Sequence, residues 1–152
     1  MTPNQKAFLD MIAWSEIGTA LLAVSDDGYN VLVGSTVKRP LLFTSYATHP
    51  NVYNRALNST AAGRYQLLSR YFLPYKTLLN LSDFGPSSQD AIALQQIRER
   101  HALDDVDSGN FTKAVAKVSN IWASLPGNTD GQHQNLMANL ENAYERAGGT
   151  FA

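Results

Sequence analysis

The hydrophobic pattern of the chain changes its period in one place, between residues 26 and 46. On either side of this segment, apolar side chains recur every three or four residues, which is the spacing of amphipathic helices. Within it, the turn signal Asp26–Gly28 precedes two short segments rich in strand-favouring residues, Tyr29–Val33 and Leu41–Tyr46. Ser35–Pro40 would join them as an irregular hairpin. The pattern therefore predicts an α+β fold that is mainly helical and carries a small β-hairpin lobe.

The first helix has clear start signals. Thr2 is a suitable N-cap, Pro3 suits the first helical position, and Gln5 completes a capping box, while Gly18 is expected to weaken the helix. Residues 48–61 are predicted to be mainly loop, and residues 127–131 a flexible turn. Later helices are predicted from near Ala62 to about Leu79 with a break before Pro74, from Pro86 to about His101, from Asn110 through Val118, and from Leu136 to Ala147 before Gly148–Gly149.

Composition narrows the class of protein. The chain has 152 residues, a net charge of −1 and no cysteine, so we expect one domain over residues 1–152, without disulfides and without nucleic-acid binding. His49, His101 and His133 lack a zinc-ligand spacing, and neither a metal nor a cofactor is expected. Membrane insertion and a signal peptide are not expected either. Attraction to an anionic surface would have to come from the basic residues Lys38, Arg39, Arg55, Arg64, Arg70 and Lys76.

Glu16 has the most informative position of the acidic residues. Phe8, Ile12 and Glu16 are spaced four apart, so on a helix the carboxyl group continues an apolar stripe. Desolvation against such a surface raises the pKa of a carboxyl group, which can then act as a general acid near neutral pH. A solvated glutamate at a helix end is the alternative, and the pattern alone leaves both interpretations open.

The segment Gly63–Gln66 is a second candidate for ligand binding. Its glycine permits close approach of a ligand, Arg64 adds a positive charge, Tyr65 offers a ring and a hydroxyl, and Gln66 offers a donor and an acceptor. A helix start with a buried tyrosine is the alternative.

Four further side chains could line a groove for sugar rings. Tyr29, Tyr46 and Trp122 offer aromatic surface, although such residues more often belong to a core. Gln95 could face a cleft from the middle of a helix, with simple solvent exposure as the alternative.

Several ordered blocks of the sequence together resemble the bacteriophage-lambda-type endolysins, which are peptidoglycan lytic transglycosylases of lysozyme-like fold. The agreement covers almost the whole chain and is more specific than any single motif. The fold that it implies is a helical lobe and a small β lobe flanking a glycan cleft. The blocks are Lys6–Glu16, Gly28–Gly34, Leu42–Pro50, Ser59–Phe72, Ser88–Leu103, Ser119–Gly127 and Ala147–Thr150.

The resemblance implies that Glu16, in the A-x-S-E block, is the catalytic acid. It implies a peptidoglycan glycan substrate, a monomer, synthesis in the host cytoplasm and action in the periplasm after release by a separate holin. The glycan-binding residues that we assign with it are Tyr29, Tyr46, Arg64, Tyr65, Gln66, Gln95, Trp122 and Ser124.

The chain departs from the family pattern in the expected β lobe and near residue 130. Asn30, Ser45 and Ala47 stand where the family has aspartates, and Asp130 replaces a tyrosine that is a familiar sugar contact. A second catalytic carboxylate in the β lobe is therefore less expected.

A lytic transglycosylase needs one carboxyl group, whereas most glycosidases need two. Glu16 would protonate the bond between N-acetylmuramic acid and N-acetylglucosamine and then deprotonate the C6 hydroxyl, which closes a 1,6-anhydro ring. Two alternatives stay open. One is a hydrolytic muramidase in which Asp26 or Asp27 activates water, and the other is a non-catalytic glycan-binding module that retains the fold.

Overall fold

The computed structural model describes residues 1–127 and 134–152, and within them helices predominate. None of the helices in this part of the chain is both long enough and apolar enough to cross a membrane. Residues 128–131 of the predicted turn, with Asp130, and also His133 lie outside the described residues. In chain order the helices are α1 (Pro3–Ile17), α2 (Thr19–Ala23), α3 (Ser69–Leu78), α4 (Pro86–Glu99), α5 (Leu103–Ser108), α6 (Phe111–Val118) and α7 (Met137–Arg146).

The capping box predicted for α1 is confirmed. The Gln5 backbone N–H donates to Thr2 Oγ1 at 3.1 Å, and the Thr2 backbone nitrogen donates to Gln5 Oε1 at 3.1 Å. Two backbone donors at the helix start, which have no partner inside the helix, are thereby satisfied. The helix ends at Ile17 because Gly18 has φ +92°, and the chain turns helical again in α2.

One compact unit consists of residues 1–16 and 93–152. Its core contains the buried face of α1 packed against aromatic side chains of α6 and α7. The Phe8 and Phe111 rings meet edge to face with centroids 5.9 Å apart, and the Phe111 and Tyr144 rings are 4.6 Å apart. Leu125 and Leu140 are fully buried in the same unit.

A second compact unit consists of residues 17–92. Its core is a separate cluster, in which the Phe72 and Phe84 rings meet edge to face with centroids 5.1 Å apart. The buried members are Phe43, Ala62, Leu67, Phe72, Phe84 and Ile92.

The second unit contains the predicted hairpin. Val31 and Leu42 form an antiparallel bridge, the Leu32 N–H donates to the Leu41 carbonyl at 2.9 Å, and the Phe43 N–H donates to the Asn30 carbonyl at 2.9 Å. Pairing is limited to isolated bridges and does not extend into the continuous strands that the sequence predicted. The residue after Val31, Leu32, forms its antiparallel bridge with Ala62, which lies on a third segment. The β lobe is thus shorter than predicted.

The helix predicted to resume near Ala62 is wrong over its first turns, since α3 begins only at Ser69. Ala62 and Leu67 exchange two backbone hydrogen bonds of 3.0 and 2.9 Å around a tight turn. The turn requires positive φ angles of +87° at Gly63 and +52° at Gln66, which a right-handed helix cannot accommodate. Pro74 lies inside α3 without ending it.

The later helices agree with the sequence patterns. Helices α4, α6 and α7 fall within the predicted ranges, and Gly148 follows the last of them with φ +94°. Helix α5 was not predicted. It has only six residues, and Gly109, which follows it as the C-cap, adopts the left-handed conformation at φ +78°.

His49 is buried in the second unit and supplies a testable pH dependence. Its Nδ1 accepts the Asn51 N–H at 3.0 Å, so Nε2 carries the proton and donates to the Leu67 carbonyl at 2.8 Å. Burial lowers the pKa of His49 below its ordinary value of 6.5, although the bond to Leu67 acts in the opposite direction. Below pH 6.5 the unfolded chain therefore binds more protons than the folded chain.

We expect the free energy of unfolding to fall as the pH decreases from 6.5, with a slope of up to about 1.4 kcal/mol per pH unit from this one imidazole. Urea unfolding between pH 4.5 and 7.5 measures it. His49→Gln should flatten the curve, and His101→Asn, which removes an exposed imidazole, is the matched control. An unchanged slope in His49→Gln would show that burial of this ring does not govern the pH dependence.

Candidate functional site

Glu16 lies in the last turn of α1, in the first unit, and is partly exposed. Phe8 and Ile12, which precede it at four-residue intervals, are fully buried. The helix therefore places one carboxyl group at the solvent-reaching end of an otherwise buried apolar stripe, as the spacing predicted. The break at Gly18 ends α1 directly after Glu16 and Ile17, and α2 begins at Thr19.

The backbone next to Glu16 is fixed by a small polar cluster of the first unit. The hydroxyl groups of Ser15 and Ser124 lie 2.8 Å apart, and Asn135 Nδ2 donates to Ser15 Oγ at 2.9 Å and to the Ser15 carbonyl at 3.3 Å. The Asn135 N–H also donates to the Ser124 carbonyl at 2.8 Å. Three chain segments thereby hold the turn that carries Glu16. Asn135 had no signal in the sequence, because its partner is 120 residues away.

The second unit brings together three of the predicted site residues around Asp90 of α4. The phenol groups of Tyr29 and Tyr65 both donate to Asp90 Oδ1, at 2.9 and 2.6 Å. The Arg64 guanidinium lies over both rings, 5.3 Å from the centroid of Tyr29 and 5.6 Å from that of Tyr65, and donates to the Tyr65 hydroxyl at 3.1 Å.

Burial and the neighbouring Asp90 raise the pKa of Tyr29 to about 12, and burial is also the largest cause that raises the pKa of Tyr65. Both phenols thus remain protonated donors at neutral pH. They can orient a carboxylate, and Tyr29, which is partly exposed, can also offer ring surface to a ligand.

The Arg64 side chain is buried and bonds to other groups of the protein. Its side chain is 7% exposed, Nε donates to the Asp27 carbonyl at 2.9 Å, and Nη2 lies 3.4 Å from Asp27 Oδ2. Sequence reasoning assigned Arg64 to glycan binding, and the geometry gives it a supporting role beneath Tyr29.

Gln89, also missed from the sequence, holds the turn at Gly63. Its Oε1 accepts the Arg64 N–H at 2.9 Å, and its Nε2 donates to the Tyr29 carbonyl at 3.0 Å and to the Phe84 carbonyl at 2.8 Å. Gln89 is 3% exposed, so these bonds replace water completely. The first turns of α4 therefore organise two segments that the sequence pattern treated separately.

Gln66 folds back onto the backbone. Its Nε2 donates to the Gly63 carbonyl at 2.8 Å and to the Val31 carbonyl at 3.2 Å. The amide thereby stabilises the tight turn in which Gln66 itself has a positive φ. Because Nε2 is used in these bonds, the side-chain oxygen Oε1 of Gln66 is the group that could accept a hydrogen bond from a ligand.

Tyr46 belongs to the same unit, but its hydroxyl bonds to a different carboxylate from that of Tyr29 and Tyr65. Its hydroxyl donates to Asp26 Oδ2 at 2.5 Å, and burial followed by this bond raises the pKa of Tyr46 above its ordinary range. The two carboxylates considered for activation of water are thus both engaged, Asp26 by Tyr46 and Asp27 by Arg64.

Gln95 and Trp122 belong to the first unit. Gln95 Oε1 accepts from Arg98 at 2.7 Å along the surface of α4, and Gln95 is only partly exposed. Trp122 is 2% exposed, which agrees with the interpretation of this residue as part of the core and leaves little ring surface for a sugar. Among residues 1–127 and 134–152, no three His, Asp or Glu side chains are grouped so that they could hold a metal ion.

Comparison with known proteins gives consistent matches over the whole chain. The Endolysin family model matches residues 6–151. The chain is 49% identical to the endolysin of Escherichia phage lambda, over 97% of this chain and 92% of that protein, and 44% identical to the endolysin of Escherichia phage P2, over 98% and 95%.

Solved structures agree with the sequence matches. Bacteriophage lambda lysozyme complexed with a chitohexasaccharide superposes with a TM-score of 0.92 at 46% identity, over 100% of this chain and 98% of that one. Another structure of lysozyme from bacteriophage lambda gives a TM-score of 0.85 at the same coverage. The mainly helical, lysozyme-like fold predicted from the sequence is thereby confirmed.

Proposed function

Because the chain belongs to the endolysin family and is a peptidoglycan-degrading enzyme of lysozyme-like fold, we propose that it acts as a lytic transglycosylase. Its target is the β-1,4 bond between N-acetylmuramic acid and N-acetylglucosamine. The observation that carries the proposal is the position of Glu16, a partly exposed carboxyl group in the last turn of α1, beside the Ser15–Ser124–Asn135 cluster.

Glu16 serves first as acid and then as base. Its protonated carboxyl group donates a proton to the glycosidic oxygen, the bond from this oxygen to C1 of the muramic sugar breaks, and N-acetylglucosamine leaves with a free 4-hydroxyl. The N-acetyl group of the muramic sugar stabilises the positive charge at C1. The Glu16 carboxylate then removes the proton of the C6 hydroxyl, whose oxygen bonds to C1. The product is a 1,6-anhydro sugar, and no water is consumed.

Two features favour this reaction over hydrolysis by a pair of carboxylates. Asn30, Ser45 and Ala47 stand where the family pattern described above implies aspartates. Asp26 and Asp27, which could replace them, already accept hydrogen bonds from Tyr46 and Arg64. An inverting hydrolase needs a second carboxylate that is available to activate water.

We assign the glycan contacts to side chains with accessible surface. Tyr29 and Tyr46 offer rings, and Ser124 and Gln95 offer hydrogen-bonding groups, while Arg64, Tyr65 and Gln66 hold Tyr29 and its surroundings in place. A related lysozyme has been solved with a chitohexasaccharide, and the ligand that we propose for this chain is likewise a glycan of β-1,4-linked amino sugars.

The cellular route is also part of the proposal. We infer synthesis in the host cytoplasm, release through the membrane by a separate holin, and action as a monomer on peptidoglycan in the periplasm. The family relationship supports action on the cell wall.

The products of digestion test the chemistry. We expect mass spectrometry of digested peptidoglycan to find muropeptides that end in 1,6-anhydro-N-acetylmuramic acid. Each of them should be lighter than the corresponding hydrolysis product by one water molecule, about 18 mass units. Borohydride reduction is the control, because it labels reducing ends and leaves anhydro ends unchanged. Products with reducing muramic acid ends would instead assign the chain to the hydrolytic muramidases.

A further inference from the structure

The acidic residues of the chain are distributed unevenly. Between Asp27 and Asp83 the sequence contains no aspartate or glutamate and six basic residues, although the net charge of the whole chain is −1. The entire stretch lies within the second unit, residues 17–92. This unit therefore carries a positive charge that the composition of the whole chain conceals.

Each of the four carboxylates of the second unit accepts hydrogen bonds from other groups of the protein. Asp26 accepts from the Tyr46 hydroxyl, Asp27 from Arg64, and Asp90 from two tyrosines. Asp83 Oδ1 accepts the Gly85 N–H at 2.9 Å and the Ser88 hydroxyl at 2.8 Å. Asp27 pairs with Arg64, whereas the other three carboxylates accept from neutral groups and keep their charge. Among the residues that the structure describes, none of the four lies in an ion pair with Lys38, Arg39 or Arg55, and basic residues outnumber acidic ones in this unit.

Three of the basic side chains lie on two turns that contact each other. The Thr36 N–H donates to the Arg39 carbonyl at 3.2 Å and closes the first turn, and the Leu57 N–H donates to Asn54 Oδ1 at 3.0 Å within the second. The turns meet where Asn54 Nδ2 donates to the Val33 carbonyl at 3.3 Å.

We call Lys38, Arg39 and Arg55 on these turns the basic turn pair. All three are exposed, and within the described part of the chain none of them forms an ion pair. Val37 and Leu57, on the same turns, are 50% and 54% exposed. The surface thus combines unpaired cations with short aliphatic side chains.

We propose that the basic turn pair binds the free carboxylates of the peptide stems that peptidoglycan carries, an inference that rests on the proposed function. The sugars of an intact glycan strand are uncharged, because the lactyl carboxyl group of each muramic acid is used in the amide bond to its peptide. The stems present carboxylates beside short alkyl groups. Guanidinium groups pair with carboxylates through two parallel hydrogen bonds, and Val37 and Leu57 suit the alkyl groups.

Binding to chemically matched sacculi tests this assignment. The protein carries Glu16→Gln so that the polymer is not consumed, and it is compared with the same protein carrying also Lys38→Gln, Arg39→Gln and Arg55→Gln. One sample of sacculi has its free amines acetylated. A second sample has, in addition, its carboxylates converted to methylamides.

On the acetylated sacculi at low salt, we expect the triple variant to bind about tenfold more weakly than its parent, because each exposed ion pair contributes a modest amount. The affinity of the parent should fall with rising salt, and that of the triple variant much less. On methylamidated sacculi the two proteins should bind alike. A control with Lys6→Gln, Lys113→Gln and Arg146→Gln makes the same change of charge in the other unit and should stay within about twofold of the parent.

Equal binding of parent and triple variant to acetylated sacculi overturns the inference. So does a loss that persists on methylamidated sacculi, or one that is seen only with vesicles of phosphatidylglycerol, which would indicate a lipid surface. Thermal unfolding checks that the exposed substitutions leave the fold intact. Cleavage of unmodified sacculi by the chain with Glu16 retained is measured in parallel. If that cleavage is absent, the proposed function fails. If cleavage is present but the triple change does not weaken binding to acetylated sacculi, this inference alone is refuted.

Discussion

Replacement of Glu16 by glutamine should reduce the cleavage of peptidoglycan by about 10³-fold, within the range that a positioned acid and base contributes to catalysis. The amide has nearly the same size as the carboxyl group, yet it can neither protonate the glycosidic oxygen nor remove the proton of the C6 hydroxyl. Ser15, Ser124 and Asn135 keep their mutual hydrogen bonds, so the last turn of α1 should stay in place. The release of soluble fragments from purified sacculi measures the loss.

Glu145→Gln is the matched control, because it makes the same chemical change at an exposed position of α7. It should retain full activity, and both variants should unfold at the same temperature as the parent within about 2 °C. Asp26→Asn separates the two reaction types. In a single-carboxylate reaction its effect should stay below about tenfold, since one hydrogen bond to Tyr46 is altered. Normal cleavage by Glu16→Gln would refute the assignment of the catalytic residue.

The sequence predicted best where the signal is local. The capping box of Thr2 and Gln5 involves residues three positions apart, and both of its hydrogen bonds are present. The stripe through Phe8, Ile12 and Glu16 depends only on helical spacing. Phe8 and Ile12 are buried, and the carboxyl group at the end of the same face is partly exposed. Such features need no knowledge of the rest of the fold.

The errors arise where contacts between distant segments decide the conformation. Residues 62–68 have the apolar content of a helix, but Ala62 bridges to Leu32 and to Leu67, and these bonds require the tight turn at Gly63. The apolar pattern does not record a backbone partner thirty residues away. For the same reason the extent of the hairpin was overestimated, because alternation identifies a strand without showing where its pairing ends.

In the candidate site, too, the sequence identified individual residues but not the contacts between distant segments. Tyr29, Tyr65 and Arg64 could be selected by residue type, but Asp90 and Gln89, which organise them, could not. An aspartate near the start of a helix is already explained by the helix dipole, so the position of Asp90 in the sequence gives no separate signal for a site. Its two bonds to tyrosine hydroxyls span 61 and 25 residues of sequence, and only the fold brings these groups together.

The turn at Gly63 leads to the second large effect, which concerns stability. We expect Gly63→Ala to lower the free energy of unfolding by about 3 kcal/mol, from strain at positive φ and from steric overlap in a packed interior. A Cβ atom added to Gly63 would lie 2.3 Å from Gln89 Oε1 and 3.2 Å from Phe84 Cζ. Gln89 cannot move aside cheaply, because its amide makes three hydrogen bonds in a buried position.

Gly148→Ala separates the two causes. Gly148 has φ +94°, close to the +87° of Gly63, but a Cβ atom there would meet no other atom within 4 Å. This control should therefore lose only about 1 kcal/mol, the cost of the backbone strain. Urea unfolding of both variants gives the difference, which measures the overlap with Gln89. Combining Gly63→Ala with Gln89→Ala should cost less than the sum of the two single changes, because the overlap is then already relieved. If the two costs add, or if Gly63→Ala is no worse than Gly148→Ala, close packing of Gln89 against Gly63 is not what holds this turn.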